Sequence, residues 1–145
     1  MTIQHSSLTE RIANHDHCIM CGELNQLSLR LKFVPDGGGG VSAPFLGNSL
    51  LQGYDGILHG GVISSLLDAA MTHCLFQHKI EAVTGELLVK FVAPVPYGSA
   101  LMVRGWLVGA TPPLYLLRAE LLYGGSLMAS AEAKFMQRFS NNALY

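Results

Sequence analysis

The chain has 145 residues, half of them apolar and only 13% charged, with a formal net charge of −1. That length holds one domain with a substantial core, and near-neutral charge gives no reason to expect nucleic acid or an anionic membrane as partner. So apolar a composition in so short a chain predicts that part of the surface is buried between subunits.

The most apolar stretch, residues 50–75, is interrupted by Asp55, His59, Asp68 and His73. It therefore offers no clean run of about 18 apolar residues, and no transmembrane span is expected. The N-terminus lacks the apolar core of a signal peptide. Three cysteines, an odd number, do not suggest a disulfide framework. A bacterial-type cytosolic location is the default expectation.

Taken in chain order, residues 1–17 read as a polar, loosely ordered leader. Residues 27–33 alternate apolar and polar at period two, the pattern of a strand with one wet face. Residues 35–40, with four consecutive glycines, form a turn, and residues 41–46 read as the second arm of that hairpin. Residues 48–58 form a loop that leads into a helix over about 60–77. Four β-rich segments follow at 83–92, 99–108, 114–123 and 127–139, separated by Pro- and Gly-rich turns. Consecutive strands with short turns predict an antiparallel meander. No internal repeat or linker divides the chain, so residues 1–145 are one domain.

The helix carries the most information. From Gly60 to Phe76 it contains one acid, Asp68, and no Lys, Arg or Glu. A surface helix keeps charged side chains on its wet face, so this one is expected to be covered. An ionised carboxylate is costly to bury unless something pairs with it, which marks Asp68 as functional. One apolar helix beside one sheet predicts an α+β fold: a curved antiparallel sheet of five to six strands wrapped around one long central helix. The small residues Gly60, Gly61, Ser64, Ser65, Ala69 and Ala70 let strands come close.

Three features together carry a family resemblance: His59-Gly60-Gly61, an acid nine positions after that histidine, and the run from Thr84 to Pro94. They resemble the hotdog-fold acyl-CoA thioesterases, in particular the phenylacetate-pathway-type branch of the 4-hydroxybenzoyl-CoA thioesterase superfamily. The segment from His15 to Gly22 is also similar to the leader of some members. The resemblance spans roughly residues 15–138. It implies a hotdog fold, a homodimer or dimer of dimers with sites between subunits, and hydrolysis of an acyl-CoA thioester to free acid and CoA. No metal or other cofactor is expected, since CoA is part of the substrate.

Thioester hydrolysis needs a stabiliser for the carbonyl oxygen, an activated water or attacking carboxylate, and room for the acyl and CoA arms. The opening N–H groups of a helix lack intrahelical partners and carry positive potential. The resemblance assigns Gly60 N–H as the main oxyanion donor, with Gly61 adjacent. Gly61, Ser65, Asp68 and Thr72 share a helical stripe. If that stripe meets the partner's helix start, Asp68 faces the thioester as general base or nucleophile. A polar stripe in solvent, or an acid held by a structural donor, is the plainer reading. Thr84, where relatives tend to carry Ser or Thr, would orient the water or the acid. His59 either fixes the loop through its ring nitrogens or helps polarise the carbonyl.

One departure affects substrate binding. Many relatives carry Asn six residues before the histidine, where this chain has Gly53 beside Gln52. Either Gln52 substitutes, or the site works without that amide. With Gly61 and Ser65, these two residues make up the expected substrate-binding set. Arg104, Lys90, Lys134 and Arg138 are candidates for the CoA phosphates, each also readable as an ordinary strand cation.

His15, His17, Cys18 and Cys21 offer four zinc-type donors within seven residues. Structural zinc sites usually draw ligands from two distant segments, so crowding argues against a metal, and the two cysteines are expected to pack a loop over the sheet edge. Cys18-x-x-Cys21 lacks a thioredoxin-like setting. His73, Cys74 and His78 read as packing or surface residues. Two functions compete with hydrolysis: a non-catalytic acyl-CoA-binding hotdog module, kept open by the missing Asn, and a hydratase or dehydratase, disfavoured by the spacing of Asp68 from His59.

Overall fold

The computed structural model describes residues 13–138, so most of the expected leader and the end of the last expected strand, Phe139, lie outside the described residues. Short 3₁₀ turns occupy Ala13–His15 and Ser49–Leu51. The strands are β1 (Val34–Pro35), β2 (Val41–Leu46), β3 (Ala82–Phe91), β4 (Ala100–Thr111), β5 (Leu114–Tyr123) and β6 (Ser126–Gln137), with one helix, α1 (Gly60–Gln77), between β2 and β3. The strands form a single antiparallel sheet in the order β1-β2-β4-β5-β6-β3. The helix touches β2 through β6, so the sheet curls around it. This is the expected hotdog arrangement.

Packing explains the wrap. Leu66, Leu67, Ala70, Met71 and Cys74 of α1 are buried without residue, facing Val103, Leu117, Ala119, Leu121, Ala129 and Phe135 of the sheet. Across the sheet Val41, Gly105, Ala119, Ala131 and Val89 fall side by side in register. This row of small and β-branched residues makes a shallow trough in which the helix backbone sits. A Cβ on Gly105 would lie 2.7 Å from the carbonyl carbon and oxygen of Ala70. Close approach therefore depends on a small residue in the sheet as much as on those in the helix.

Two expectations about strands need correction. Residues 27–33 are not a strand. Their alternation is a burial pattern, with Leu31 and Phe33 in the core and Arg30 and Lys32 outside. Arg30, at φ 53°, breaks the extended path, and Leu29 and Leu31 bond to the carbonyls of Ile19 and Met20 rather than to the sheet. The meander is also incomplete. β4, β5 and β6 follow it, but β3 pairs with β6 at the far edge instead of with β4. The connection after β3 carries Pro94 and Pro96, which cannot donate ladder bonds. It crosses to the loop before α1, where Leu58 N–H donates to Val95 O at 2.8 Å.

The bend in β3 positions chemistry. Its register against β6 shifts between Thr84 and Glu86, leaving Gly85 as an extra residue. Thr84 pairs with Phe135, and beyond the bulge Leu87, Val89 and Phe91 pair with Ala133, Ala131 and Ala129. All four partners are buried under the helix. One inserted residue thus places Thr84 on the helix side of the sheet together with the apolar run that follows.

Gly105→Ala is expected to lose about 1–3 kcal/mol of stability through overpacking, whereas Gly98→Ala, with open space at its Cβ, should stay within about 0.5 kcal/mol. Chemical denaturation of the two variants checks this.

Candidate functional site

The start of α1 is built by His59. Its backbone is extended (φ −60°, ψ 134°) and its side chain caps the helix, Gly61 N–H donating to Nδ1 at 2.7 Å. Since Nδ1 accepts, the neutral ring carries its proton on Nε2. The backbone N–H of His59 donates to Leu51 O at 2.8 Å, fixing the approach of the chain. The bond engages one ring nitrogen of His59 at the helix start and commits Gly61 N–H to the cap. Gly60 N–H has no acceptor among the described residues. It remains the amide of this helix start open to a ligand.

Gly60 lies against the ring of Phe91 on β3, to which a Cβ would approach within 3.4 Å. Gly53, Tyr54, Ile57, Leu58, His59 and Gly60 line a shallow pocket there. Gly53 lies flat against the His59 imidazole, where a Cβ would stand 3.3 Å from Cδ2. A larger residue at 53 would press on the capping ring, a local reason for glycine at this position. Gln52 is engaged within its own loop: Oε1 accepts from Gly56 N–H at 2.6 Å and Nε2 donates to Ser49 O at 2.8 Å. Its amide oxygen and nitrogen staple the loop, and neither is aimed at the helix start by these bonds.

The acid sits in a second cleft, lined by His15, Asp68, Thr72, Ala82, Val83, Thr84, Gly85 and Met136. Thr84 Oγ1 donates to Asp68 Oδ1 at 2.5 Å. Burial pushes the Asp68 carboxyl above the usual carboxylate range, while the Thr84 hydroxyl and the charge of His15 pull it back. Ser65 and Thr72, its neighbours on the stripe, turn their hydroxyls onto the helix carbonyls of Gly61 and Asp68, at 2.8 and 3.0 Å. The stripe is only partly covered, and Gly61 is exposed. The helix is therefore not wrapped on every side.

Gly60 and Asp68 line different clefts. Eight residues separate them, about 12 Å along the axis. The structure brings Asp68 to Thr84, and His59 to Gly53, Gly60 and Gly61, but does not bring the two groups together within one chain.

Sequence reading missed one residue lining the Asp68 cleft and one lying against Gly60. His15 reaches the Asp68 cleft because its ring packs edge-on against Phe76 near the end of α1, with centroids 4.8 Å apart. Phe91 walls the helix start because of the β3 bulge. Neither carries a local signal.

Among the proposed phosphate ligands, Arg104 faces Asp36 at 3.9 Å, Lys134 faces Glu86 at 3.5 Å and Arg138 faces Glu81 at 3.4 Å. Lys90 has no ion pair among the described residues. His73 and Cys74 are buried and His78 is exposed. Burial pushes the Cys74 thiol up to about 11, which keeps it from acting as a nucleophile.

If His59 serves as a cap, His59→Ala should cost about 1 kcal/mol in denaturant unfolding, and His59→Asn, which also caps well, should recover most of it.

The sequence from 55 to 111, which holds His59, Gly60, Asp68 and Thr84, matches the model of the thioesterase superfamily. Among solved structures, a thioesterase superfamily protein superposes with a TM-score of 0.78 at 22% identity over 83% of this chain. This chain spans only 60% of that longer one. The E. coli PaaI protein from the phenylacetic acid degradation operon gives a TM-score of 0.71 at 16% identity, covering 77% of this chain and 81% of its own. A Streptococcus mutans UA159 protein bound to acetyl CoA gives 0.69 at 18%, covering 74% and 88%. The matched segment, less than half of the chain, is similar to the thioesterase superfamily, and the architecture shared with these structures is the hotdog fold.

Proposed function

We propose that the protein hydrolyses an acyl-CoA thioester to a carboxylic acid and CoA, at a site made by two copies of the chain. The observation that carries this reading is the Asp68–Thr84 pair, a half-buried carboxyl on an open helix stripe, hydrogen-bonded at 2.5 Å by a hydroxyl from the edge strand. A carboxyl with raised proton affinity is a better acceptor for the proton of water. Gly60 N–H, at the positive end of the helix, would receive the carbonyl oxygen as it gains charge. Water adds to the carbonyl carbon as Asp68 takes its proton. The C–S bond then breaks, and the proton passes to the leaving sulfur. Direct attack by Asp68 followed by hydrolysis of the anhydride reaches the same products. That a structural neighbour binds acetyl CoA supports a CoA ester as ligand, and Lys90 is the candidate cation for its phosphates.

The second copy supplies what one chain separates. β3 lies at the end of the sheet order and is long, with Leu87, Leu88 and Phe91 exposed and Val92 exposed just beyond it. Such an edge invites pairing unless it is blunted. A twofold contact along it would be isologous, so each chain would offer its helix start to the other's Asp68. Oligomerisation through β3 would also account for the apolar composition.

Thiol release from aryl-, short-, medium- and long-chain acyl-CoAs tests the reading. Asp68→Asn should lower kcat/KM by about 100-fold or more while circular dichroism stays native. Because the folded carboxyl holds its proton more tightly than the unfolded one, its favourable contribution is complete at low pH and disappears as pH rises through the raised value. The Asn variant should therefore be at least as stable as wild type at neutral pH. Thr84→Val removes a bond that favours the charged carboxylate, so the acid limb of its pH–rate profile should move to higher pH. Full turnover by Asp68→Asn would reject the assignment. Saturable CoA-ester binding with no turnover of any ester would favour the binding module.

A further inference from the structure

The segment before β1 holds a cluster of donors for which the hydrolytic reading has no use. One ring nitrogen of His15 and the sulfurs of Cys18 and Cys21 all lie within 4.8 Å of one another. His15 Nδ1 is 3.6 Å from Cys21 Sγ. Zinc–nitrogen bonds of about 2.0–2.1 Å and zinc–sulfur bonds of about 2.3 Å, set at a tetrahedral angle, separate N from S by about 3.6 Å. The pair already stands at the spacing that a shared ion would impose.

The backbone is wound to produce this convergence. Cys18 N–H donates to His15 O at 3.1 Å, Gly22 N–H to Cys18 O at 2.7 Å, and Leu24 N–H to Asp16 O at 2.9 Å. These successive turns direct side chains 15, 18 and 21 to one point. Gly22 is needed for the winding, since a Cβ there would fall 2.4 Å from Asp16 O and 2.5 Å from Cys18 N. Met20 N–H points at Cys18 Sγ at 3.3 Å and fixes the position of the sulfur. Leu29 and Leu31 bond back to Ile19 and Met20, holding the turn on the body of the protein. Cys21 is buried, while Cys18 is partly open and gives an ion a way in.

We infer that His15, Cys18 and Cys21 bind one zinc ion, with water or another exchangeable group as fourth ligand. Two thiolates and an imidazole are a donor set suited to zinc. Crowding, which weighs against a metal in the bare sequence, is resolved because the wound turn places the donors around a common point. A zinc there would anchor the turn and hold His15, which lines the Asp68 cleft. The inference stands independently of the hydrolytic reading.

The test uses the full chain, purified under reducing conditions from zinc-supplemented medium. Elemental analysis should find one zinc per chain. Cobalt(II) replacing it should show thiolate-to-metal charge transfer and the intense visible bands of a four-coordinate ion, and stripping the metal with a chelator should lower Tm. Cys18→Ser and Cys21→Ser should each weaken zinc binding by more than the roughly 10–100-fold that loss of an outer-shell partner costs, and Cys74→Ala should leave stoichiometry unchanged. Failure of the reduced wild-type protein to take up either ion would overturn the inference, and that measurement needs no variant to fold. So would a Cys18–Cys21 disulfide in the freshly isolated protein, or undiminished zinc binding by both serine variants.

Discussion

A carboxyl group on an otherwise uncharged helix has to be either solvated or held, and here it is held by one hydroxyl. Thr84 reaches Asp68 because Gly85 adds a residue to the edge strand and turns Thr84 toward the helix. Burial alone pushes the carboxyl above the usual carboxylate range. The hydrogen bond from Thr84 works the other way, favouring the charged form. The balance between these effects makes the group both a proton acceptor and a local cost to stability. The core of the fold serves this balance by fixing the helix in the trough around Gly105, so that the distance from stripe to edge strand is set by close packing.

The same rigidity keeps the helix start away from the acid. A helix gives its free N–H groups only at one end, and Asp68 lies two turns beyond. His59 narrows the choice further by taking Gly61 N–H, leaving Gly60. Among the described residues of a single chain, the helix start and the acid therefore line separate clefts. The edge strand β3 carries both Thr84, which holds the acid, and the exposed Phe91, which lies against the helix start. In the proposed dimer the surface that drives association is the one that completes the chemistry, which ties activity to assembly.

Much of this was legible in the letters. The helix limits follow from a histidine and two glycines before a run whose one acid is Asp68, and the limits of β5 follow from Pro and Gly punctuation, whereas β4 continues to Thr111, past the expected end at 108. Asp68 stood out because nothing else on its helix is ionised, and it lies beside Thr84, the other polar residue named for that position. Sheet order was not legible, because pairing of β3 with β6 is decided by a proline-rich crossing that leaves no periodic trace. The alternation reports burial correctly from Leu29 to Phe33 but not at Leu27, which is exposed, and the left-handed backbone at Arg30 ends any strand there. The engagement of Gln52 with Ser49 and Gly56 is fixed by loop geometry. The arrival of His15 at the Asp68 cleft depends on packing between segments some sixty positions apart, to which no local pattern points.

The central claim is that Asp68 of one chain works with Gly60 of another, and subunit complementation addresses it most directly. Proline suits the first position of a helix, and the extended backbone at His59 is what a residue before proline requires. Gly60→Pro thus removes one N–H, and its Cβ would meet the Phe91 ring at 3.4 Å, an ordinary contact. The account predicts that Gly60→Pro and Asp68→Asn are each inactive alone. Refolded together in equal amounts, they should recover about a quarter of wild-type activity, since half the dimers would then be mixed and each would hold one intact site. An active Gly60→Pro protein, or a mixture no more active than its parts, would contradict the account.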